Sequence, residues 1–307
     1  MLISKIKSEI DDLIFNFGKI LKQDDFLDKT VLYFTADIPL EVISAFGLIP
    51  IRIPSDIRTR DKSVSVNSMI DSILQPFVCA KSRHMMEFII NNSESFSAGI
   101  FSENHCDSLQ NIFDLLQLNK SLPDAFASFR FLLPVKRGGK GEANYYYKEI
   151  KRLVAWLQDW TGKEITYLQL KEAIDLHNKK RTLLLNLADL IQDNIQEGFL
   201  TSDLFKIMLA SDILPIQRGI EILEDTFNLL DKNPKESNSK QNTSRILISG
   251  SMFDNYRLFE EIPQLNNSAI SSSRLLIFCL LSWINLLSFT SCNSAISSSR
   301  LLISCRF

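Results

Sequence analysis

With 307 residues, 45% of them hydrophobic, the chain is long enough to bury a full core and to form two domains. Its 34 basic and 36 acidic residues leave a net charge of −2, which argues against the basic face that a nucleic-acid partner requires. Five cysteines, with no signal peptide in the opening MLISKIK, point to a reducing compartment, so the expected location is the cytoplasm.

Residues 3–22 place Ile3, Ile6, Ile10, Leu13, Ile14 and Phe17 on one helical stripe. The opposite side mixes both charges, which favours packing on the protein body over a membrane surface. Residues 30–35 (TVLYFT) read as a buried strand. Pro39 suits the start of a short helix over 40–46 that ends at Gly47, and 49–53 returns as a second strand, completing a βαβ unit. Glu41 falls in the first turn of that helix, where the helix dipole alone favours a carboxylate.

Residues 54–68 form a charged, Ser-rich linker, and 69–74 lead into a short apolar run, Pro76-Phe77-Val78, read as a strand ending at Cys79. Beyond Cys79, apolar residues at 85, 86, 89 and 90 recur at helical spacing. The design repeats: 99–101 reads as a buried strand, and Cys106 stands at the turn into a helix with Ile112, Phe113, Leu115 and Leu116 on its apolar face. Strand ends of a parallel sheet converge on the crevice where such sheets bind ligands, and two thiolates delivered there could share an inorganic centre. The alternative is that each cysteine is a small buried hydrophobe, since no CxxC spacing is present. His84 and His105 lie near the cysteines in sequence but fit no zinc-ligand spacing, and read as accessory or surface residues.

Another strand is expected at 128–134, followed by VKRGGKG (135–141), which suits either an anion-binding turn or a solvated loop and lacks P-loop spacing. From 142 to 231 the pattern is almost wholly helical. One helix over 145–161 closes at Gly162, a second covers 166–193 with His177 on or beside its apolar stripe, Thr201-Ser202 caps a third, and Pro215 opens a fourth. This block reads as a helical insertion with no catalytic constellation of its own. Residues 232–244 are a polar linker, 245–251 a strand with a Gly turn, and 257–262 the start of a helix.

The blocks FTADIPLEVISAFGLIPIRI (34–53), QPFVCAKSRHMMEF (75–88), GIFSENHCDSLQNIFDLL (99–116), YYYKEIKRLVAWLQDWTGKEIT (145–166) and LHNKKRTLL (176–184) resemble, in this order, the 2-hydroxyacyl-CoA dehydratase family. That family includes 2-hydroxyglutaryl-CoA dehydratase components, the D-component among them, and benzoyl-CoA reductase subunits. The resemblance covers roughly residues 30–260 and implies an α/β fold. It has a Rossmann-like parallel-sheet N-terminal domain over 1–135, a helical segment over 136–236 and the start of a second, incomplete α/β domain over 237–264.

Residues 265–307 differ from everything before them. They contain no Asp, Glu or Lys, and NSAISSSRLLI occurs identically at 267–277 and 293–303. The expectation is an out-of-frame or rearranged end in place of most of the second domain. A membrane segment over 275–289 is disfavoured, because it includes Ser282, Asn285 and Ser288 and falls short of the roughly 20 apolar residues a span needs.

By resemblance, Cys79 and Cys106 are ligands of a [4Fe–4S] cluster, and Glu41 is an acid/base or substrate-orienting group at the active crevice. The third cysteine of the family comes from the second domain; Cys279, Cys292 and Cys305 lie in the tail without the family's surroundings. The implied activity is loss of water from a (R)-2-hydroxyacyl-CoA thioester through a ketyl radical, with a homologous companion subunit and an electron from an ATP-dependent activator. Coenzyme A phosphates are the implied guest of the 135–141 turn. A benzoyl-CoA reductase-type subunit and a non-catalytic partner or decayed fragment stand as alternatives.

Overall fold

The computed structural model describes residues 2–20, 29–33, 38–53, 68–92, 100–103, 107–118, 126–134, 140–193 and 201–231. In chain order the elements are α1 (Leu2–Phe15), α2 (Phe17–Ile20), β1 (Thr30–Tyr33), α3 (Leu40–Ala45), β2 (Ile49–Arg52), α4 (Ser68–Ile73), α5 (Ala80–Asn92), β3 (Ile100–Glu103), α6 (Asp107–Leu118), β4 (Ser128–Phe131), α7 (Lys140–Thr161), α8 (Tyr167–Asp193), α9 (Thr201–Asp212) and α10 (Ile216–Asp231). The architecture is α/β, mostly helical around a small sheet. Its four strands are all parallel and lie in the order β2-β1-β3-β4.

β1 carries apolar side chains to both faces, as the inner strand of a sheet covered on both sides requires. Val31, Tyr33, Phe129 and Phe131 point into a core shared with Val42 and Ile43 of α3, Phe46 just past its end, and Leu153 and Leu157 of α7. Leu32, Ile51 and Ile53 belong to the opposite core, with Met85, Met86 and Ile89 of α5 and Ile112 and Leu116 of α6. That core continues into Ile10 and Ile14 of α1 and the apolar faces of α9 and α10.

Local chemistry accounts for the element ends. The N-terminal helix breaks at Asn16, whose side-chain amide donates to the Asp12 carbonyl at 3.0 Å while the Lys19 N–H turns back to the Asn16 carbonyl at 2.8 Å. Gly47 and Gly162 close α3 and α7 at φ 75° and 65°, a left-handed conformation that glycine adopts without a Cβ penalty. Thr166 and Gln169 then form a capping box at the head of α8: the Gln169 N–H donates to Thr166 Oγ1 at 3.3 Å, and the Thr166 N–H to Gln169 Oε1 at 2.8 Å. Gly219 of α10 faces the end of α9, where a Cβ would stand 2.7 Å from the Ser211 carbonyl oxygen.

Two expected elements are corrected. No strand precedes Cys79: residues 68–73 are helical, and 75–79 form a turn in which the Val78 N–H donates to the Gln75 carbonyl at 3.1 Å. Pro76 has no N–H to give to a ladder, and a run of two further residues buries too little to hold a strand; Phe77 is 85% exposed. The turn expected at 135–141 is shorter, since Lys140 and Gly141 already belong to α7, while 135–139 lie outside the described residues. Residues 232–307, with the expected second α/β domain and the repeat tail, also lie outside them.

The outer strands are β2 and β4. Pro50 sits within β2, opposite Val31. Beside β4, the Leu132 N–H donates to Glu149 Oε2 at 3.3 Å, and the Arg152 guanidinium donates to the Arg130 carbonyl. Arg152 is held for this by Glu149, at 2.7 Å, and by the face of Phe129, 4.3 Å from the ring centre.

Candidate functional site

In a parallel sheet the crossover helices run against the strands, so their N-termini gather at the carboxyl edge. Here the strand order reverses between β1 and β3, the point at which open α/β sheets leave a ligand crevice. Past that point β1 leads to α3, whose first turn carries Glu41, and β3 leads to α6, which begins one residue after Cys106. Cys106 itself and His105 lie outside the described residues. Cys79 immediately precedes α5, the helix that descends to β3.

Cys79 is exposed and free of any disulfide, and its Sγ lies 3.2 Å from the hydroxyl of the buried Ser82. The Arg83 N–H donates to the Cys79 carbonyl at 3.1 Å, and the Arg83 guanidinium reaches back to the carbonyls of Leu74 and Gln75 at 3.4 and 3.0 Å. One side chain thus ties the turn before the cysteine to the helix after it. His84 is partly exposed on the same helix. Among the described residues no three His, Cys, Asp or Glu side chains form a metal-holding group. Cys79 supplies one thiol suited to an iron–sulfur centre, an accessible sulfur with a hydroxyl beside it; the other expected thiol is Cys106.

Glu41 is 6% exposed and pairs with Arg181 of α8, Oε1 to Nη1 at 2.6 Å. The second Arg181 nitrogen is taken by the Asn178 side chain. One turn earlier on α8, His177 Nε2 lies 2.9 Å from the Ser44 hydroxyl of α3. One residue before Arg181, Lys180 Nζ donates to the Ser211 carbonyl at 2.6 Å and to Asp212 Oδ1 at 2.7 Å. The other oxygen of Asp212 faces Arg52 Nε, at the end of β2, at 3.3 Å. These groups line the seam where α8 lies along α3 and reaches the end of α9. The helical block, read from the sequence as an insertion with no catalytic constellation of its own, is therefore part of the surroundings of Glu41. A signal was present in LHNKKRTLL: His177, Lys180 and Arg181 are three and four residues apart and so share one helix face. Arg52 and Asp212 carried no such signal.

Burial pushes the His177 imidazole down to about 4, opposed by the nearby Glu41 carboxylate and assisted by Lys180 and Arg181, with Asp212 opposing. The native state therefore holds this ring neutral while the unfolded chain takes up a proton below about 6.5. The stability from this site is fully present above pH 6.5 and is lost as pH falls toward 4, an effect on the order of 3 kcal/mol. Unfolding midpoints in urea between pH 7 and pH 4 should show this decline, and His177→Gln should flatten it. An unchanged slope in the variant would place the acid sensitivity elsewhere.

Among the described residues no helix is long and apolar enough to cross a membrane. A family model described as 2-hydroxyglutaryl-CoA dehydratase, D-component, matches residues 35–277, which includes Glu41, Cys79, Cys106 and the first copy of the tail repeat. A benzoyl-CoA reductase subunit from Thauera aromatica is 24% identical over 250 residues, covering 81% of this chain and 62% of that protein. The chain thus spans about three-fifths of the length of the curated relative it matches.

Proposed function

Because the chain belongs to the 2-hydroxyglutaryl-CoA dehydratase D-component family, we propose that it is the iron–sulfur subunit of a (R)-2-hydroxyacyl-CoA dehydratase. The observation that carries this reading is the family match over residues 35–277, supported by Glu41 in the first turn of the helix that follows β1 and by an accessible Cys79 at the head of the helix before β3. The similarity to a benzoyl-CoA reductase subunit favours a second reading, a subunit of an aromatic-ring reductase. In either case the reading takes a Rossmann-like first domain over 1–135 and a helical segment over 136–236, while the expected start of a second, incomplete α/β domain over 237–264 lies outside the described residues. The protein works in the cytoplasm with a homologous companion subunit and an ATP-dependent activator.

Loss of water from a 2-hydroxyacyl thioester removes hydroxide from C2 and a proton from C3, with no net change in electron count. A [4Fe–4S] cluster, when bound, supplies the one-electron chemistry that this elimination needs. Cys79 and Cys106 would hold it from this chain, and the Ser82 hydroxyl, 3.2 Å from Sγ, can turn to donate to the Cys79 thiolate. Glu41 Oε1 is engaged by Arg181, so Oε2 is the atom that takes or returns the substrate proton.

The test is anaerobic. The chain, with its companion and activator, should contain iron and acid-labile sulfide in similar amounts and convert a (R)-2-hydroxyacyl-CoA to the 2-enoyl thioester. Reduction of benzoyl-CoA without dehydration would select the second reading. A complex with neither iron nor sulfide would overturn both and leave a non-catalytic partner.

A further inference from the structure

We propose that Arg181 is the positioning residue for Glu41, so that the helical segment completes the reactive crevice; this rests on the acid/base reading above. Glu41 stands on α3, a helix of only six residues, and its carboxylate is fixed from outside that helix. The Arg181 guanidinium holds Oε1 at 2.6 Å through one nitrogen and is itself held by Asn178 through another. No hydrogen bond to Oε2 is made among the described residues. Among the described residues the carboxylate is thus clamped through Oε1 alone, which leaves Oε2 to present a lone pair in a fixed direction. The clamp is itself located: His177 bonds to Ser44 one turn away, and Lys180 anchors the same face of α8 to the end of α9. Arginine suits the task because its planar fork fixes direction as well as charge, which lysine does not.

The experiment compares wild type, Glu41→Gln, Arg181→Met, Arg181→Lys and the Glu41→Gln/Arg181→Met double variant, each as the full chain with companion and activator. Arg181→Met should lower kcat by about 100-fold with KM nearly unchanged, as misplacement of a reacting group does. Arg181→Lys should recover only part of that loss. The double variant should turn over no more slowly than Glu41→Gln alone, because Arg181 acts through Glu41. A second readout needs no turnover: in infrared difference spectra against Glu41→Gln, the Glu41 carboxylate bands should shift in Arg181→Met. Should Arg181→Met fail to fold, the double variant, which removes both buried charges together, still gives the comparison with Glu41→Gln. Turnover losses that simply add, or carboxylate bands that do not move, would overturn the positioning role while leaving the dehydratase reading intact. A wild-type complex with cluster but no turnover of either thioester would overturn that reading, and the positioning role with it.

Discussion

Cys79→Ser protein, prepared anaerobically, is expected to lose the broad visible absorbance and the acid-labile sulfide of the wild-type chain, while Cys292→Ser keeps both. The contrast follows from the proposed ligand set. Cys79 is an accessible sulfur at the head of α5, held on a turn that Arg83 pins at both sides, so on the proposed reading its removal takes away a ligand and little else. An exposed side chain of this kind contributes within about 0.5 kcal/mol to stability, so the far-ultraviolet dichroism and unfolding midpoint should stay near wild type. Retention of the chromophore in Cys79→Ser, or its loss only in variants of the tail cysteines, would sink the assignment. Cys106→Ser should behave as Cys79→Ser does.

The largest stability effect is expected at Asp212. Its carboxylate, 12% exposed, receives Lys180 at 2.7 Å on one oxygen and Arg52 at 3.3 Å on the other. Arg52 is buried at the carboxyl end of β2, and Lys180 also donates to the Ser211 carbonyl at the end of α9. Asp212→Ala removes the one carboxylate shared by two largely buried cations, a change that costs about 3–5 kcal/mol. The melting temperature should fall by roughly 10 °C, with hydrogen exchange accelerated first in α9 and α10. Asp212→Asn, which keeps an acceptor, should fall between this variant and wild type. A loss below about 1 kcal/mol for Asp212→Ala would mean that water already screens the cluster.

The sheet and the long helices were legible because their signals are local. TVLY in β1 is buried throughout, as its β-branched and aromatic content implies, and the Thr166–Gln169 box and Gly162 mark the junction of α7 and α8 in the residues themselves. The break at Asn16 was not legible, because it depends on a side-chain amide competing for a carbonyl within an unbroken apolar stripe. The turn before Cys79 was misread for a related reason: a short apolar run with one proline carries too little periodic information to distinguish a strand from a loop. Around Glu41 the difficulty was distance along the chain. Glu41 and Arg181 are 140 residues apart, and Lys180 and Arg181 look like any solvated helix face until α3 and α9 are laid against them. Helical spacing showed that His177, Lys180 and Arg181 travel together; only tertiary packing shows what they meet.

Among the described residues the two outer strands end the sheet by different means, and this bears on how the protein joins others. A strand added beside β2 would meet Pro50, which has no N–H to offer. One added beside β4 would find the Arg130 carbonyl and the Leu132 N–H already occupied by the side chains of Arg152 and Glu149, which imitate a neighbouring backbone. Recognition by β-augmentation is thereby blocked on both flanks, and so is the edge-to-edge stacking that turns open sheets into aggregates. Any protein that docks on this part of the molecule must grip helices and loops rather than lengthen the sheet.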